Sequence, residues 1–385
     1  MPLDAAALSQ ALIRCPSVTP EDAGALAVLE ATLKPLGFSC KRLRFEAADT
    51  APVENLYARV GSDSPHFCFA GHTDVVPVGD AAQWKHDPFG AKILDGTLYG
   101  RGAADMKAAI AAFVVAAERH LAKGKLKGSI SLLITGDEEG IGVNGTKKML
   151  GWLSENGERI DHCIVGEPTS TTSSGDTLKI GRRGSINFRV AVRGVQGHVG
   201  YPHRALNPIP ILAVLVNRLS GEPLDNGTPH FEPSTLAFTS IDVGNDATNV
   251  IPAEATARFN IRFNDLHTPE TLKHRVETKA KDVADEMGGE ISVTSQTSGV
   301  AFLTQPGPFT ELVSDAVAKV TGSKPETSTS GGTSDARFIK DHCPVVELGL
   351  SGTTMHKVDE CMPVSEIHRL TDIYESVLDA YFARK

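Results

Sequence analysis

In residues 1–176, apolar side chains form either short unbroken runs or segments with helical spacing. The runs are typical of buried strands and lead into glycine-containing turns, as in Phe67–Ala70 and Ile130–Thr135. Asn55–Val60 has a similar strand-like composition. Helices are predicted where apolar residues recur at helical spacing, in Asp4–Arg14, Ala23–Leu36 and Ala108–Leu121. These elements predict an α/β domain.

The pattern changes after a Ser/Thr/Gly connector at Ser170–Gly175. In Ser185–Arg193, Ile, Phe and Val alternate with polar or small residues, which predicts a half-exposed antiparallel strand. Two helices are predicted next, at Asn207–Leu219 and Pro269–Met287. Three strands are predicted at Ser234–Val243, Ala253–Phe263 and Glu290–Ser295. Two helices on one face of a small antiparallel sheet make an α+β unit.

After Thr297 the pattern reverts to that of the first part. Helices are predicted at Phe309–Val320 and Glu366–Arg384, a loop at Ser328–Ser334 and a strand at Val345–Gly349. A chain of 385 residues is expected to form two domains. We therefore predict one domain made of residues 1–176 and 297–385, interrupted by an inserted domain of residues 177–296.

Composition and charge exclude several classes of partner. The chain has 38 basic and 47 acidic side chains, a net charge of −9 and no basic run, so we expect neither nucleic acid nor membrane as a partner. Its six cysteines form no Cys-x-x-Cys pair and are typical of reduced thiols. The N-terminus does not resemble a signal peptide, and the most apolar window, Ala108–Ala117, is about half as long as a membrane span. These features favour a soluble, cytoplasmic protein.

Three consecutive carboxylates, Asp137, Glu138 and Glu139, follow the predicted strand Ile130–Thr135. Neighbouring like charges repel, so folding alone does not require them there. Open α/β sheets place their ligand sites at the carboxyl ends of strands. The alternative is a solvated acidic turn, which is the better interpretation of three adjacent acids considered alone.

Four more candidate residues lie near predicted strand ends or helix starts. His72 follows Phe67–Ala70, and Asp74 could hold its far ring nitrogen if both side chains share one face of an extended chain. Asp105 precedes the Ala-rich helix, where a helix N-cap is an equally good interpretation. Glu167 precedes a proline after another apolar run, and His356 lies beyond the last predicted strand. For His72 considered alone, a surface histidine beside a turn is the better interpretation.

Together these side chains predict a metal site. Histidine and carboxylate ligands without a thiolate suit Zn²⁺ or a similar divalent ion that leaves positions open for water or substrate. Two histidines and three or four carboxylates exceed what one zinc ion can use. Two ions bridged by a carboxylate account for the number, and a further carboxylate could remove a proton from the attacking water. The candidate residues are His72, Asp105, Glu138, Glu139, Glu167 and His356.

Five motifs resemble the co-catalytic metallopeptidases of the M20 family, and the resemblance covers nearly the whole chain. They are Gly71–Pro77, Gly102–Lys107, Asp137–Gly140, Gly166–Thr169 and Met355–Lys357. The resemblance implies a mixed-sheet catalytic domain of a zinc hydrolase, with an inserted α+β domain that acts as a lid and forms a homodimer.

The same resemblance implies a role for each residue. His72 and Glu167 would bind one Zn²⁺ ion, Glu139 and His356 the other, and Asp105 both, with Co²⁺ as a possible substitute. Glu138 would act as general base and acid, Asp74 would orient His72, and His198 would stabilise the oxyanion. His198 would come from the partner subunit.

Four further segments are similar to those of the desuccinylases within this family, namely Gly181–Ser185, Gly197–His203, Thr248–Pro252 and Ser330–Phe338. By this similarity the substrate contacts would be Arg182, Asn249, Arg262, Gly332 and Thr333. A succinyl carboxylate suits a guanidinium group, although either arginine could instead be solvated on an exposed strand. Gly352 stands where an asparagine is expected, which puts one substrate contact in doubt.

The expected reaction is hydrolysis of N-succinyl-L,L-2,6-diaminopimelate to succinate and L,L-2,6-diaminopimelate, in lysine and cell-wall precursor synthesis. The alternatives within enzymes are an acetylornithine deacetylase and a broader N-acyl amino acid hydrolase. A metal-dependent binding or scaffold protein is the alternative from another class. Such a protein would have no use for Glu138 beyond the ligands, so the enzyme is favoured.

Overall fold

A computed structural model of the chain describes residues 2–383. Arg384, the predicted end of the last helix, lies outside this range. Within it the α-helices are α1 (Ala5–Ile13), α2 (Ala25–Leu33), α3 (Lys107–Ala122), α4 (Thr146–Glu155), α5 (Pro208–Ser220), α6 (Pro269–Met287), α7 (Pro308–Thr321), α8 (Ala336–Ile339) and α9 (Val364–Phe382).

The strands of the described residues fall into five sheets. In chain order they are β1 (Ser39–Phe45), β2 (Val53–Val60), β3 (His66–His72), β4 (Lys92–Leu94), β5 (Thr97–Tyr99), β6 (Ser129–Thr135), β7 (His162–Val165), β8 (Thr177–Lys179), β9 (Gly181–Arg182), β10 (Gly184–Arg193), β11 (Gly197–His198), β12 (Thr235–Asp242), β13 (Val250–Ile251), β14 (Glu254–Phe263), β15 (Glu290–Gly299), β16 (Phe302–Leu303), β17 (Glu326–Ser328), β18 (Val345–Glu347) and β19 (Cys361–Pro363).

The chain divides into two compact units. The first contains the described residues of Met1–Ile180, Thr304–Ser328 and Ser334–Lys385, and the second contains Gly181–Leu303 and Thr329–Thr333. The predicted boundaries at 176/177 and 296/297 lie four and seven residues before these division points, and residues 329–333, predicted in the first domain, belong to the second unit. The two boundaries differ because β8 still pairs with β17 and β18 in the large sheet, whereas β15 extends to residue 299 and is followed by β16, which pairs with β9.

The first unit is built on an eight-stranded mixed sheet with the order β1-β2-β6-β3-β7-β18-β8-β17. The pairs β3–β6, β3–β7 and β7–β18 are parallel, so the carboxyl ends of these four strands lie at the same edge of the sheet. β3 and β6 are buried along their whole length, as the unbroken apolar run predicts for β6. The mixed α/β class predicted from the sequence is confirmed.

Helix α3 packs against β3 and α9 through an aromatic cluster. Phe69 stacks on Phe113 with ring centroids 4.3 Å apart, and Tyr374 meets both rings edge-on at 5.6 and 5.7 Å. Stacked and edge-to-face pairs of this kind stabilise a core beyond the area that they bury. The cluster holds β3 in place and therefore fixes the strand that ends at His72.

The second unit is a four-stranded antiparallel sheet, β12-β14-β10-β15, against which α5 and α6 pack. In β10, Ile186, Phe188, Val190 and Val192 are buried, as the alternation in Ser185–Arg193 predicts, whereas Ala191 on the other face is buried as well. Helix α6 has the predicted bounds because Thr268 caps its first turn and Pro269 occupies the first helical position.

The sequence did not predict β1 and α4 of the first unit, nor its short elements β4, β5, β8, β17, β19 and α8. β1 is an edge strand in which Leu43 is the one buried residue, so it shows no clear apolar pattern. α4 contains Gly151 in its interior, and glycine lowers helix propensity. None of the helices in residues 2–383 combines the length and hydropathy that crossing a bilayer requires.

Candidate metal centre

The edge of the large sheet brings together the residues that follow its strands. His72 is the last residue of β3 and lies opposite Thr135, the last residue of β6. Glu138 and Glu139 follow β6, and Glu167 comes shortly after β7, which is also parallel to β3. The predicted candidates therefore converge because parallel strands end together. Glu138 and Glu139 belong to this cluster and do not form an isolated acidic turn.

His72 and Glu167 form one half of the cluster. The Nε2 atom of His72 lies 3.2 Å from Oδ1 of Asp105 and 3.7 Å from Oε1 of Glu167. The ring of His72 is 1% exposed, so it is not the surface residue that the sequence alone allowed. A histidine nitrogen facing two carboxylates in a buried site is a favourable arrangement for a divalent cation.

His356 and Glu139 form the other half. The Nε2 atom of His356 lies 2.7 Å from Oε1 of Glu139 and 3.4 Å from Oδ2 of Asp105. The two carboxylate oxygens of Asp105 thus face one histidine each, with Oδ1 towards His72 and Oδ2 towards His356. This is the arrangement that a carboxylate bridging two ions requires.

Asp105 does not cap the following helix, so that interpretation is wrong. Helix α3 begins at Lys107, and the N-cap position is occupied by Met106, whose side chain makes no capping hydrogen bond. The Asp105 carboxylate instead lies between the two histidines.

Asp74 contacts His72 differently from the prediction. Nδ1 of His72 donates to the backbone carbonyl of Asp74 at 2.9 Å, whereas the Asp74 carboxylate is 3.6 Å from that nitrogen. Strand β3 ends at His72, so the alternation that would place both side chains on one face does not reach Asp74. In the neutral ring, this hydrogen bond to the carbonyl fixes the tautomer in which Nε2 carries no proton. The Asp74 carboxylate accepts hydrogen bonds from the backbone of Glu138 and Glu139, at 3.3 and 3.0 Å.

The cluster favours positive charge. Hydrogen bonds to Asp105 and Glu139 raise the pKa of His356 to about 10. Burial opposes a charge on His72, but Asp105 and Glu167 outweigh it and raise the pKa of that ring well above its usual value. Burial and the neighbouring Glu167 raise the pKa of Glu138 well above that of a free carboxyl group. A site that favours an imidazolium ion for these reasons also favours a metal cation.

His198 and Asn249 belong to the second unit and are neighbours within it. His198 pairs with Val250 in the β11–β13 ladder, and the carbonyl of Asn249 accepts from the backbone of Val199 at 3.1 Å. Nδ1 of His198 accepts a hydrogen bond from the backbone of Gly200 at 3.0 Å. In the neutral ring the proton therefore lies on Nε2, which can donate to a ligand.

The other predicted substrate contacts also belong to the second unit. Arg182 is buried, and its Nη1 donates to the carbonyl of Gly332 at 3.2 Å, so it is not a solvated surface arginine. Arg262 is half-buried on β14, and burial together with the nearby Arg183 lowers its pKa. Within residues 2–383, Nη1 of Arg262 is buried without a hydrogen-bond partner. Thr333 is partly buried.

The family assignment rests on the length of the chain that matches a family model. Residues 68–380 match the model of peptidase family M20/M25/M40. The chain belongs to this family. The assignment confirms the membership predicted from the five motifs.

Curated M20 relatives match the chain over almost its full length. A protein of Rhodospirillum centenum named succinyl-diaminopimelate desuccinylase is 60% identical over 381 residues, which cover 99% of this chain and 98% of the relative. A protein of the same name from Parvibaculum lavamentivorans is 59% identical over 382 residues, with 99% and 96% covered.

Solved structures share the fold at low sequence identity. The aminopeptidase PepT of Bacillus cereus has a TM-score of 0.81 and 21% identity, with 99% of this chain and 98% of that chain covered. The YXEP protein of Bacillus subtilis, described as a dinuclear metal binding peptidase from the M20 family, has a TM-score of 0.72 and 16% identity, with 98% of each chain covered.

The residues present in this M20 protein fit a metal centre. Donor atoms of His72, Asp105 and Glu139 lie within 4.8 Å of one another, and so do those of His72, Glu138 and Glu167. The donors are imidazole nitrogens and carboxylate oxygens, which suit zinc and similar divalent ions.

Sequence reasoning missed two buried residues next to this centre. They are Glu360 and Arg101, to which the sequence analysis assigns no role. They form an ion pair at 2.7 Å in which both side chains are buried. Their signal in the sequence was weak because a single Arg or Glu beside a turn is usually exposed.

Proposed function

We propose that this M20 protein is a metal-dependent amidohydrolase that cleaves N-succinyl-L,L-2,6-diaminopimelate to succinate and L,L-2,6-diaminopimelate, in the synthesis of diaminopimelate and lysine. The observation that carries the reaction class is the position of Asp105 between His72 and His356, with Glu138 beside them. The substrate rests on the full-length relatives named succinyl-diaminopimelate desuccinylase.

The proposed cofactor is two Zn²⁺ ions per subunit, which Co²⁺ can replace. His72 and Glu167 would hold one ion, His356 and Glu139 the other, and Asp105 both. When bound, two such ions polarise the amide carbonyl and make the attacking water more acidic. The distances from Asp105 to the two histidines, 3.2 and 3.4 Å, support this division of the ligands.

Glu138 is the proposed general base and acid. The hydrogen bonds from the backbone of Glu138 and Glu139 to Asp74 fix the turn that carries its side chain. Its raised pKa favours a carboxyl group that can hold a proton taken from water and return it to the leaving amine. Asp74 would thus act on both sides of the site, through its carbonyl on His72 and through its carboxylate on the Glu138 turn.

The second unit supplies the proposed contacts with an anionic substrate. Arg262 offers a buried guanidinium nitrogen, and Arg182 lies beside Gly332. A guanidinium group binds a carboxylate with charge-assisted hydrogen bonds. Asn249 and Thr333 would add polar contacts. The net charge of −9 cannot attract a polyanion, so these local cations are required.

Gly352 fits this chain because of its neighbours. A Cβ atom at this position would lie 3.2 Å from the sulfur of Met355 and 3.5 Å from Cβ of Pro168. An asparagine here would require Met355 to move. We therefore propose that the contact expected from an asparagine is absent and that the remaining contacts bind the substrate.

His198 is the proposed oxyanion donor, supplied by the partner subunit of a homodimer that forms through the second unit. Its Nε2 proton is available because Nδ1 accepts from Gly200. β12 is an edge strand of the second unit, and Ile241 on it is 56% exposed, which suits pairing with another copy. A cytoplasmic location stays a prediction, and the six free thiols support it.

The test is product analysis. Protein loaded with Zn²⁺ or Co²⁺ and supplied with N-succinyl-L,L-2,6-diaminopimelate should release succinate and a new primary amine in equal amounts. Protein treated with a chelator is the control and should regain activity when the metal is added back. Metal-loaded protein that releases no succinate would contradict the proposal.

A further inference from the structure

The segment that carries Asp105 is held by one buried carboxylate. Oε1 of Glu360 accepts hydrogen bonds from the backbone of Gly102, Ala104 and Asp105, at 3.1, 2.8 and 3.2 Å. Glu360 is fully buried, so no solvent competes for these donors. Three backbone donors on one carboxylate oxygen fix the backbone path up to Asp105 itself.

The second oxygen of Glu360 connects this segment to Arg101. Oε2 accepts from Nη1 of Arg101 at 2.7 Å. The same guanidinium group donates to the carbonyl of Lys357 at 3.2 Å and to that of Pro77 at 3.3 Å. Lys357 directly follows His356. Glu360 and Arg101 therefore bind the Asp105 segment to the segment that carries His356.

The local strands explain why these side chains meet. β5 ends at Tyr99 and pairs antiparallel with β19, in which Cys361 lies opposite Tyr99. The residues after β5 and the residues before β19 consequently run side by side, and the backbone of Gly100 donates to the carbonyl of Glu360 at 2.9 Å. The small three-stranded sheet thus places Glu360 next to the turn that leads to Asp105.

We infer that Glu360, together with Arg101, is a positioning residue that sets the bridging carboxylate of Asp105 relative to His356. Neither side chain is among the proposed ligands. Their effect on a bound ion is indirect, through the backbone of Asp105 and the carbonyl next to His356. This inference rests on the proposed two-metal site and adds to it the residues that hold its shared ligand in place.

The test is a Co²⁺ titration of metal-free protein, followed by visible absorption and calorimetry. Glu360→Gln keeps the volume of the side chain but has one accepting oxygen instead of two. That oxygen cannot serve both the three backbone donors and Arg101. Loss of a group that orients a metal ligand typically weakens metal binding about 10- to 100-fold. We expect a loss of this size in Co²⁺ affinity, while circular dichroism shows a folded protein.

Two further variants test whether a change in Co²⁺ affinity comes from lost positioning and not from a change in charge or in stability. Arg101→Lys keeps the positive charge but loses the fork that contacts Pro77 and Lys357, so Co²⁺ binding should weaken with no change in net charge. Glu158→Gln removes a carboxylate paired with Arg59 in the same unit, and it should lower stability without changing Co²⁺ affinity. Arg59 lies on β2 opposite Ser131, away from the carboxyl end of β6.

The outcomes distinguish this inference from the proposed function. Wild-type protein that binds no Co²⁺ would contradict the metal site itself. Wild-type protein that binds two ions, with folded Glu360→Gln binding them equally well, would overturn the role of Glu360 alone. Equal weakening in Glu158→Gln would also overturn it, because the effect would then follow from lost stability. If Glu360→Gln does not fold, unchanged Co²⁺ affinity in Arg101→Lys overturns the inference.

Discussion

At the scale of single residues, Glu138 and Glu139 are neighbours in the chain but have different surroundings. Glu139 lies 2.7 Å from Nε2 of His356, as a ligand would. Glu138 lies near His72 and Glu167, and burial together with Glu167 raises its pKa. These contacts support the proposed roles of Glu139 as a ligand and of Glu138 as the base, whereas the sequence shows only adjacent acids.

Glu138→Gln should retain both metal ions but lose nearly all turnover. The amide cannot accept a proton from water, and loss of a general base typically costs at least ~100-fold in kcat. Steady-state kinetics and metal analysis on the same sample check this. Glu139→Gln is the matched control and should lose metal as well as activity. A Glu138→Gln enzyme that remains active, or one that has lost its metal, would mean that base and ligand are misassigned.

Arg262→Ala should raise KM for a succinylated substrate far more than for a substrate whose acyl group has no second carboxylate. A hydrogen bond to a charged group contributes about 1.5–3 kcal/mol, or roughly 10- to 100-fold in binding. Arg262→Lys should recover part of the loss because it keeps the charge without the fork. If both substrates suffer equally, Arg262 supports the sheet of the second unit and does not contact the succinyl group.

The sequence predicted the identity of the site residues better than their contacts. His72, Asp105, Glu139, Glu167 and His356 converge as expected because each follows a strand or precedes a helix at one sheet edge. The partner of His72 was wrong in detail, since the Asp74 carbonyl and not its carboxylate contacts the ring. Such a difference depends on where a strand stops, and side-chain patterns locate a strand end only to within a few residues.

At the scale of secondary-structure elements, the loop between α5 and β12 depends on one carboxylate. Asp225 accepts from the backbone of Gly227 at 2.7 Å, from that of Ser234 at 3.2 Å and from the side chains of Asn264 and His267 at 2.7 and 3.0 Å. Burial opposes the charge of Asp225, but the hydrogen bonds from Ser234, Gly227 and Asn264 outweigh it and lower its pKa to about 2.

This shift predicts how the stability of the second unit depends on pH. The folded pKa of Asp225 lies below the unfolded value of about 3.9, so its contribution to stability is present above pH about 4 and is lost as the pH falls towards 2. Asp225→Asn should have a lower midpoint of thermal unfolding than wild type at pH 7. The difference between the two midpoints should shrink as the pH falls below 4. Glu277→Gln, an exposed carboxylate on α6, controls for the loss of one charge. A difference in unfolding midpoint between Asp225→Asn and wild type that stays constant from pH 7 to 3 would contradict this role of Asp225.

Elements with strong patterns were predicted closely and weakly patterned ones were missed. α6 has a threonine cap, a proline at its start and a regular apolar stripe, and its bounds are as predicted. β1 and α4 lack such signals, because one is a polar edge strand and the other contains an interior glycine. Their positions follow from packing, of β1 against β2 and of α4 against β6 and α8.

At the scale of the whole molecule, each proposed active site uses residues of two chains. His198→Ala and Glu138→Gln homodimers should both be nearly inactive. After subunit exchange, a mixed dimer pairs an intact Glu138 site with an intact His198 from the other chain, so one site in two should recover. Mass spectrometry verifies the exchange, and mixed wild-type dimers serve as the control. Verified exchange without recovered activity would show that His198 acts within its own chain.

We propose that this M20 protein is a desuccinylase and not a general deacylase. The most direct measurement is the ratio of kcat/KM for N-succinyl-L,L-2,6-diaminopimelate to that for N-acetylornithine, on the same metal-loaded protein. If the second unit recognises the succinyl carboxylate, one charge-assisted hydrogen bond alone favours the succinylated substrate by at least roughly 10-fold. A ratio near one, or one that favours N-acetylornithine, would contradict the claim.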